Sequence, residues 1–204
     1  MKKKTLLLIC AMLAICLTGC GKSNNAEENS ADDTTKESVV EETVTVDAAD
    51  PEELLLTVWE SYDEADRFPI GGGDYGNMVS DTVGVFDVSR IEDLDSLLGV
   101  PSEGAAMINE AASMMHMMNA NTFTAGAYRL KEDATVQALA DVLKENILNR
   151  QWMCGFPDTL LIASVGDKYV VSAFGEAQIM ENFKSKLQSE FEMTEVIYEE
   201  NLTE

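Results

Sequence analysis

Apolar residues recur at three- and four-residue spacing over Leu55, Val58, Trp59 and Tyr62, which puts them on one face of a helix. The segment ahead of them, Asp50-Pro51-Glu52-Glu53, has the chemistry of a helix start: an Asp side chain to accept from free N–H groups, a Pro where no N–H is needed, and acids in the first turn. Phe68-Pro69-Ile70 ends that helix before a glycine cluster, and Ile91 to Leu98 forms a second, shorter one stopped by Gly99 and Pro101. From Met107 the pattern turns to strands. Met107–Met118 and Phe123–Leu130 are joined by Asn119-Ala120-Asn121-Thr122, and in the second strand Phe123, Ala125, Ala127 and Arg129 alternate with Thr124, Gly126, Tyr128 and Leu130. Lys131-Glu132-Asp133 opens a helix whose stripe is Val136, Leu139, Ala140, Leu143 and Ile147. Leu160–Val165 and Tyr169–Phe174 are strands around Gly166-Asp167-Lys168, and a last helix from Gly175 carries Ile179, Met180, Phe183 and Leu187.

The N-terminal helix is thus followed by strand, strand, helix, strand, strand, helix. Strands that come in adjacent pairs predict an antiparallel sheet with the helices packed on one face, an α+β domain over residues 50–204.

Ahead of this domain the pattern is different. Lys2, Lys3 and Lys4 precede an apolar run from Leu6 to Leu17. Such a run falls short of the roughly 20 residues that cross a bilayer, but suits the core of an export signal. It closes on Leu17-Thr18-Gly19-Cys20, which resembles the lipobox of bacterial lipoproteins. The resemblance implies diacylglyceryl transfer to the Cys20 thiol, cleavage just before it, and a protein held on the extracytoplasmic face of the cell membrane. Residues 1–19 are then a signal peptide. Residues 20–49 are the lipidated cysteine and an acidic tether, lacking aromatic residues and too polar to offset the entropy of ordering it. Within it, Thr43-Val44-Thr45-Val46 alternates as a short edge strand does.

Charge and cysteine count take their meaning from that division. The chain has 204 residues and a net charge of −23, which excludes counterion-releasing contact with nucleic acid and polybasic attraction to anionic lipid. Three lysines and no acid leave with residues 1–19, so the mature charge is −26. Of four cysteines, Cys10 and Cys16 leave with the signal and Cys20 takes lipid. Cys154 is left alone among Trp152, Met153 and Phe156, a small core residue rather than a nucleophile.

Asn149-Arg150-Gln151-Trp152-Met153-Cys154, followed by Gly166-Asp167 and an apolar strand, resembles the C-terminal half of small lipoproteins from Gram-positive anaerobes, in families recorded only as domains of unknown function. The likeness covers roughly residues 107–190. It implies a similar fold and an extracytoplasmic setting, and carries no site residues across.

Three groups of residues bear on chemistry. Gly71-Gly72-Gly73-Asp74-Tyr75-Gly76 satisfies G-x-G-x-x-G, but a dinucleotide site needs a strand before it and a helix after it; this segment reads as a flexible loop. Met114-Met115-His116-Met117-Met118 gathers thioethers with the chain's single histidine, and soft ligands of this kind suit Cu(I). On a strand, Met114, His116 and Met118 share a face about 7 Å apart in succession, a spacing that fits one ion poorly, while methionine commonly fills core space. The acids form no D-x-[DN]-x-[DN]-G loop, Asp93-x-Asp95 being too short a fragment, and nine of them lie between Glu27 and Asp50, so they read as tether and solvated surface.

The expectation is therefore a non-enzymatic, membrane-anchored binding or interaction module. Its partners are the membrane, through lipid on Cys20, and a protein or small molecule; no nucleic acid and no cofactor are expected. The alternative is a soft-metal (copper) lipoprotein using Met114, His116 and Met118. A hydrolase ranks behind both, for want of a nucleophile–base pair.

Overall fold

Asp50 starts the first helix as its side chain suggests: Oδ1 accepts from the Glu53 N–H at 2.9 Å, and α1 runs Pro51–Glu60. The computed structural model describes residues 48–118, 122–153 and 155–203. After a 3-10 turn at Glu64–Asp66 come three short strands, β1 (Ile70–Gly72), β2 (Val79–Ser80) and β3 (Gly84–Phe86). Helix α2 (Ile91–Asp93) continues as a π-helical segment, Leu94–Leu98, and ends where Gly99 takes a left-handed conformation (φ 70°). A turn of helix, α3 (Ser102–Ala105), leads into β4 (Ile108–His116) and β5 (Phe123–Leu130). Then follow α4 (Val136–Leu148), β6 (Thr159–Val165), β7 (Tyr169–Gly175), α5 (Ala177–Glu190) and β8 (Thr194–Asn201).

The class is as expected, α+β with an open antiparallel sheet. Its strand order is β2-β1-β4-β5-β7-β6-β8, with β3 sharing the β1 side of β4. Three short strands and the terminal one join the four expected. Helix α4 begins at Val136, after the Lys131-Glu132-Asp133 segment expected to open it, behind a Thr135 cap whose Oγ1 accepts from the Ala138 N–H.

The layering corrects the expectation that the helices share one face. On β6, Leu161, Ala163 and Val165 belong to a core with Leu54, Leu55 and Val58 of α1 and Met180, Phe183 and Leu187 of α5. The alternate residues Leu160 and Ile162 belong to a second core with Leu139, Leu143 and Ile147 of α4. Successive strand residues point to opposite faces, so α1 and α5 lie on one face of the sheet and α4 on the other. The reason is visible in β6 and β7: almost every residue is apolar and buried, the pattern of strands covered on both sides.

The outer strand β8 ties the layers together. Glu199 accepts from Lys184 of α5 at 2.6 Å, while its neighbour Glu200 accepts from Lys144 of α4 at 2.5 Å. Charge along this edge also discourages pairing with another chain.

Candidate functional site

The glycine cluster is built for close approach of backbone. Both β1 and β3 pair with the same edge of β4, β1 at Met115 and His116, β3 at Ala111 to Ser113. Where they meet, a Cβ on Gly72 would lie 2.1 Å from the Gly84 nitrogen and 2.4 Å from the Ser113 oxygen. Gly73 then turns with φ 93°, a conformation that favours glycine. So Gly71 and Gly72 are strand, correcting the expectation of a flexible loop, and no helix receives the turn. These glycines serve a strand crossing.

Asp74 anchors the segment that follows. Its carboxylate, fully buried, accepts from the Gly76 N–H (2.7 Å), Asn77 N–H (3.1 Å), Asn77 Nδ2 and Asp87 N–H (3.2 Å), and Arg90 Nε stands 3.2 Å away. Burial pushes this carboxyl up, but the hydrogen bonds from Asn77, Asp87 and Gly76, with the Arg90 charge, outweigh it and hold it below the ordinary range. Asp87 in turn accepts from Ser89 and stays low for that reason. The arrangement fixes a loop, with its acceptor capacity spent on protein donors. Sequence reasoning missed it. The signal available was Asp74 three residues before Asn77, a turn pattern.

The Met/His cluster is placed on β4 and its exit. Met114 is buried in the core beneath α1. His116 faces the same side and stacks on Phe68 with centroids 4.6 Å apart and planes within 5°. Its Nδ1 accepts from the Met118 N–H at 2.9 Å, which commits that nitrogen and leaves the proton on Nε2 when the ring is neutral. Burial holds the imidazole below its ordinary pKa, opposed by the nearby Glu176 charge. Met118 is exposed beyond the strand end. The three proposed ligands thus occupy a core position, a stacked position and the surface. Among the described residues no group of three His, Cys, Asp or Glu side chains is placed to hold a metal ion.

On the face that carries α4, an apolar band begins where that helix ends. Phe174, Thr124, Met115 and Gly71 stand in register across four strands. The Met117 sulfur lies over Gly71, and Trp152, from the segment after α4, packs on Phe174 at 5.1 Å. Arg150 lies over the Trp152 ring at 4.9 Å and donates to the Ser96 carbonyl, so it holds that segment in place. The same segment exposes Met153 (89%) and Phe156 (69%), and Met117 is 47% exposed. Cys154 lies outside the described residues, as do Cys20, the signal peptide and Thr43–Val46.

Arg129 is committed elsewhere, paired with Glu110 at 3.0 Å and stacked over Tyr169 at 5.7 Å. It stands between two open grooves of about 480 and 500 Å³, the second of which also holds Lys131 and Lys168. Among the described residues no helix is long and apolar enough to cross a membrane. No protein-family model, curated protein or solved structure matches the chain.

Proposed function

We propose that the chain is an extracytoplasmic binding module, anchored to the membrane by lipid on Cys20, that engages a protein partner through the apolar band after α4. What carries the reading is the exposure of Met153 and Phe156 beside the Trp152–Phe174 stack. Large side chains grouped in this way on a soluble surface mark interaction sites, and aromatic residues with an adjoining Arg are the usual energetic anchors of an interface. Methionine at the edge of such a patch adapts to a partner's shape. Lipid supplies the attachment, since two acyl chains suffice for stable anchoring. The domain's own surface is then free for recognition.

The test is a photoreactive amino acid at Met153 in the full chain in its native membrane. A discrete crosslinked species, lost when Trp152 is replaced by Ala and unaffected by a probe placed on the opposite face at Gln188, supports the reading. Equal crosslinking from both positions, or none from Met153, overturns it.

A further inference from the structure

Within the apolar band after α4, Met153 is 89% exposed, more than any other large apolar side chain among the described residues. Methionine is among the residues most often buried, so a thioether held this far into solvent calls for a reason. Its neighbours are more sheltered. Trp152 is half-buried against Phe174, and Met117 is 47% exposed with its sulfur over Gly71.

Chemistry separates methionine from the alternatives at these two positions. Leucine supplies apolar contact of nearly the same volume. What a thioether adds is a sulfur lone pair open to oxidants, and solvent access decides which sulfurs react. The fold grades that access sharply. Met114 and Met180, in the core with α1 and α5, are 0% and 3% exposed. Met153 and Met117 are therefore open to oxidation while the packing that holds the domain together is not.

We propose that Met153, with Met117 as a second site, is an oxidation site that switches the band off for its partner. The inference rests on the band being the partner-binding surface. The oxidant is a peroxide. The Met153 sulfur attacks one peroxide oxygen, and the O–O bond breaks as the S–O bond forms. The proton of the transferred oxygen goes to the departing hydroxide, which leaves as water. Sulfur gives up two electrons and the peroxide gains them, so no further reactant is needed. The sulfoxide is polar where the thioether was apolar. Against a partner's apolar surface its oxygen is buried without a donor, which disfavours the complex.

The experiment uses the full chain with Cys154→Ser, which removes the thiol a peroxide would also attack, and a photoreactive phenylalanine analogue at Phe156. The purified chain in detergent is treated with hydrogen peroxide, cleared with catalase and returned to membranes of cells lacking it. Peptide mass mapping is expected to show Met153 oxidised at least about tenfold faster than Met114, with the urea midpoint unchanged. Crosslinking from Phe156 falls at least about tenfold after oxidation. Met153→Leu with Met117→Leu crosslinks like the untreated parent before and after peroxide. Met78, Met118 and Met193, also exposed, remain oxidisable in that variant and so serve as controls. Crosslinking that survives oxidation of the parent, or is lost equally in the double variant, overturns the inference and leaves the proposed function standing. So does a urea midpoint that drops on oxidation, or a Met153 oxidised no faster than Met114. Absence of crosslinking before oxidation overturns the proposed function and the inference with it.

Discussion

The Ser113 hydroxyl accepts from the Gly73 N–H at 2.8 Å and lies 3.2 Å from the Gly73 carbonyl, which it can donate to in turn. A single buried side chain on β4 thereby serves both polar groups of a residue 40 positions earlier, at the point where β1 turns away from the sheet. Backbone groups buried without partners are costly, so this hydroxyl is what allows the crossing to be tight.

Ser113→Ala should therefore destabilise the domain by about 2 kcal/mol, since it leaves the Gly73 pair unsatisfied. Gly72→Ala should cost more, about 3 kcal/mol or above, because its Cβ would meet backbone atoms of Gly84 and Ser113 that cannot rotate aside. Urea unfolding followed by far-ultraviolet circular dichroism checks both. A Gly72→Ala chain as stable as the parent would mean the two strands do not cross as described.

Asp74 sets part of the acid limb of stability. Its folded carboxyl titrates below the ordinary value of about 3.9, so the unfolded chain takes up the proton first. The contribution is fully present above that value and is lost as the pH falls through the depressed one. Asp74→Asn should cost about 2 kcal/mol at pH 7, the worth of a charge-assisted set of bonds to Gly76, Asp87 and Arg90. The difference between variant and parent should shrink below pH 4. A difference that stays constant from pH 7 to pH 2.5 would exclude a charged Asp74 as its source.

Legibility in the sequence followed the kind of force at work. Helix α1 could be read because capping is local: Asp50, Pro51 and the first-turn acids act within four residues. Strand β5 could be read at its observed bounds, Phe123–Leu130, from residue type. The second helical layer was written in the nearly continuous apolar, buried runs of β6 and β7, a signal that outweighs the pairing of strands from which a two-layer fold was expected. Strand β8 gave little away, since Glu195, Glu199 and Glu200 make it poor in apolar residues and its place depends on Lys144 and Lys184 from two helices. At the candidate sites the sequence carried less. Nothing local ties Ser113 to Gly73 or Phe68 to His116, and Trp152 meets Phe174 only once the segment after α4 lies against β7.

His116 should act with the same sign as Asp74 but in a higher pH window. Burial against Phe68 holds its pKa below the ordinary value of about 6.5, so the unfolded chain again binds the proton more readily. Stability from the neutral ring is full above pH 6.5 and is lost as the pH falls through the lowered pKa. Protonation at Nδ1 would also break the bond from the Met118 N–H and loosen the end of β4. His116→Phe keeps the stack and removes the titration, so its stability should fall less than that of the parent between pH 7.5 and pH 5. Proton NMR of the single imidazole reads the pKa directly, and a value above 6.5 would contradict the burial argument.

Attachment to the membrane should depend on Cys20. Each buried methylene contributes about 0.8 kcal/mol, so a single acyl chain gives marginal binding and two give a stable anchor. The described helices offer no alternative span, and a net charge of −23 disfavours adsorption to anionic lipid. Cys20→Ser should therefore move the chain from the detergent phase to the aqueous phase in Triton X-114 partitioning and abolish incorporation of labelled palmitate. It should leave the folded domain intact, with an unchanged urea midpoint, because residues 48–203 draw their core from α1 to β8. If Cys20→Ser remained in the detergent phase with its apolar run uncleaved, the N-terminal segment itself would be the anchor and the lipobox reading would fail.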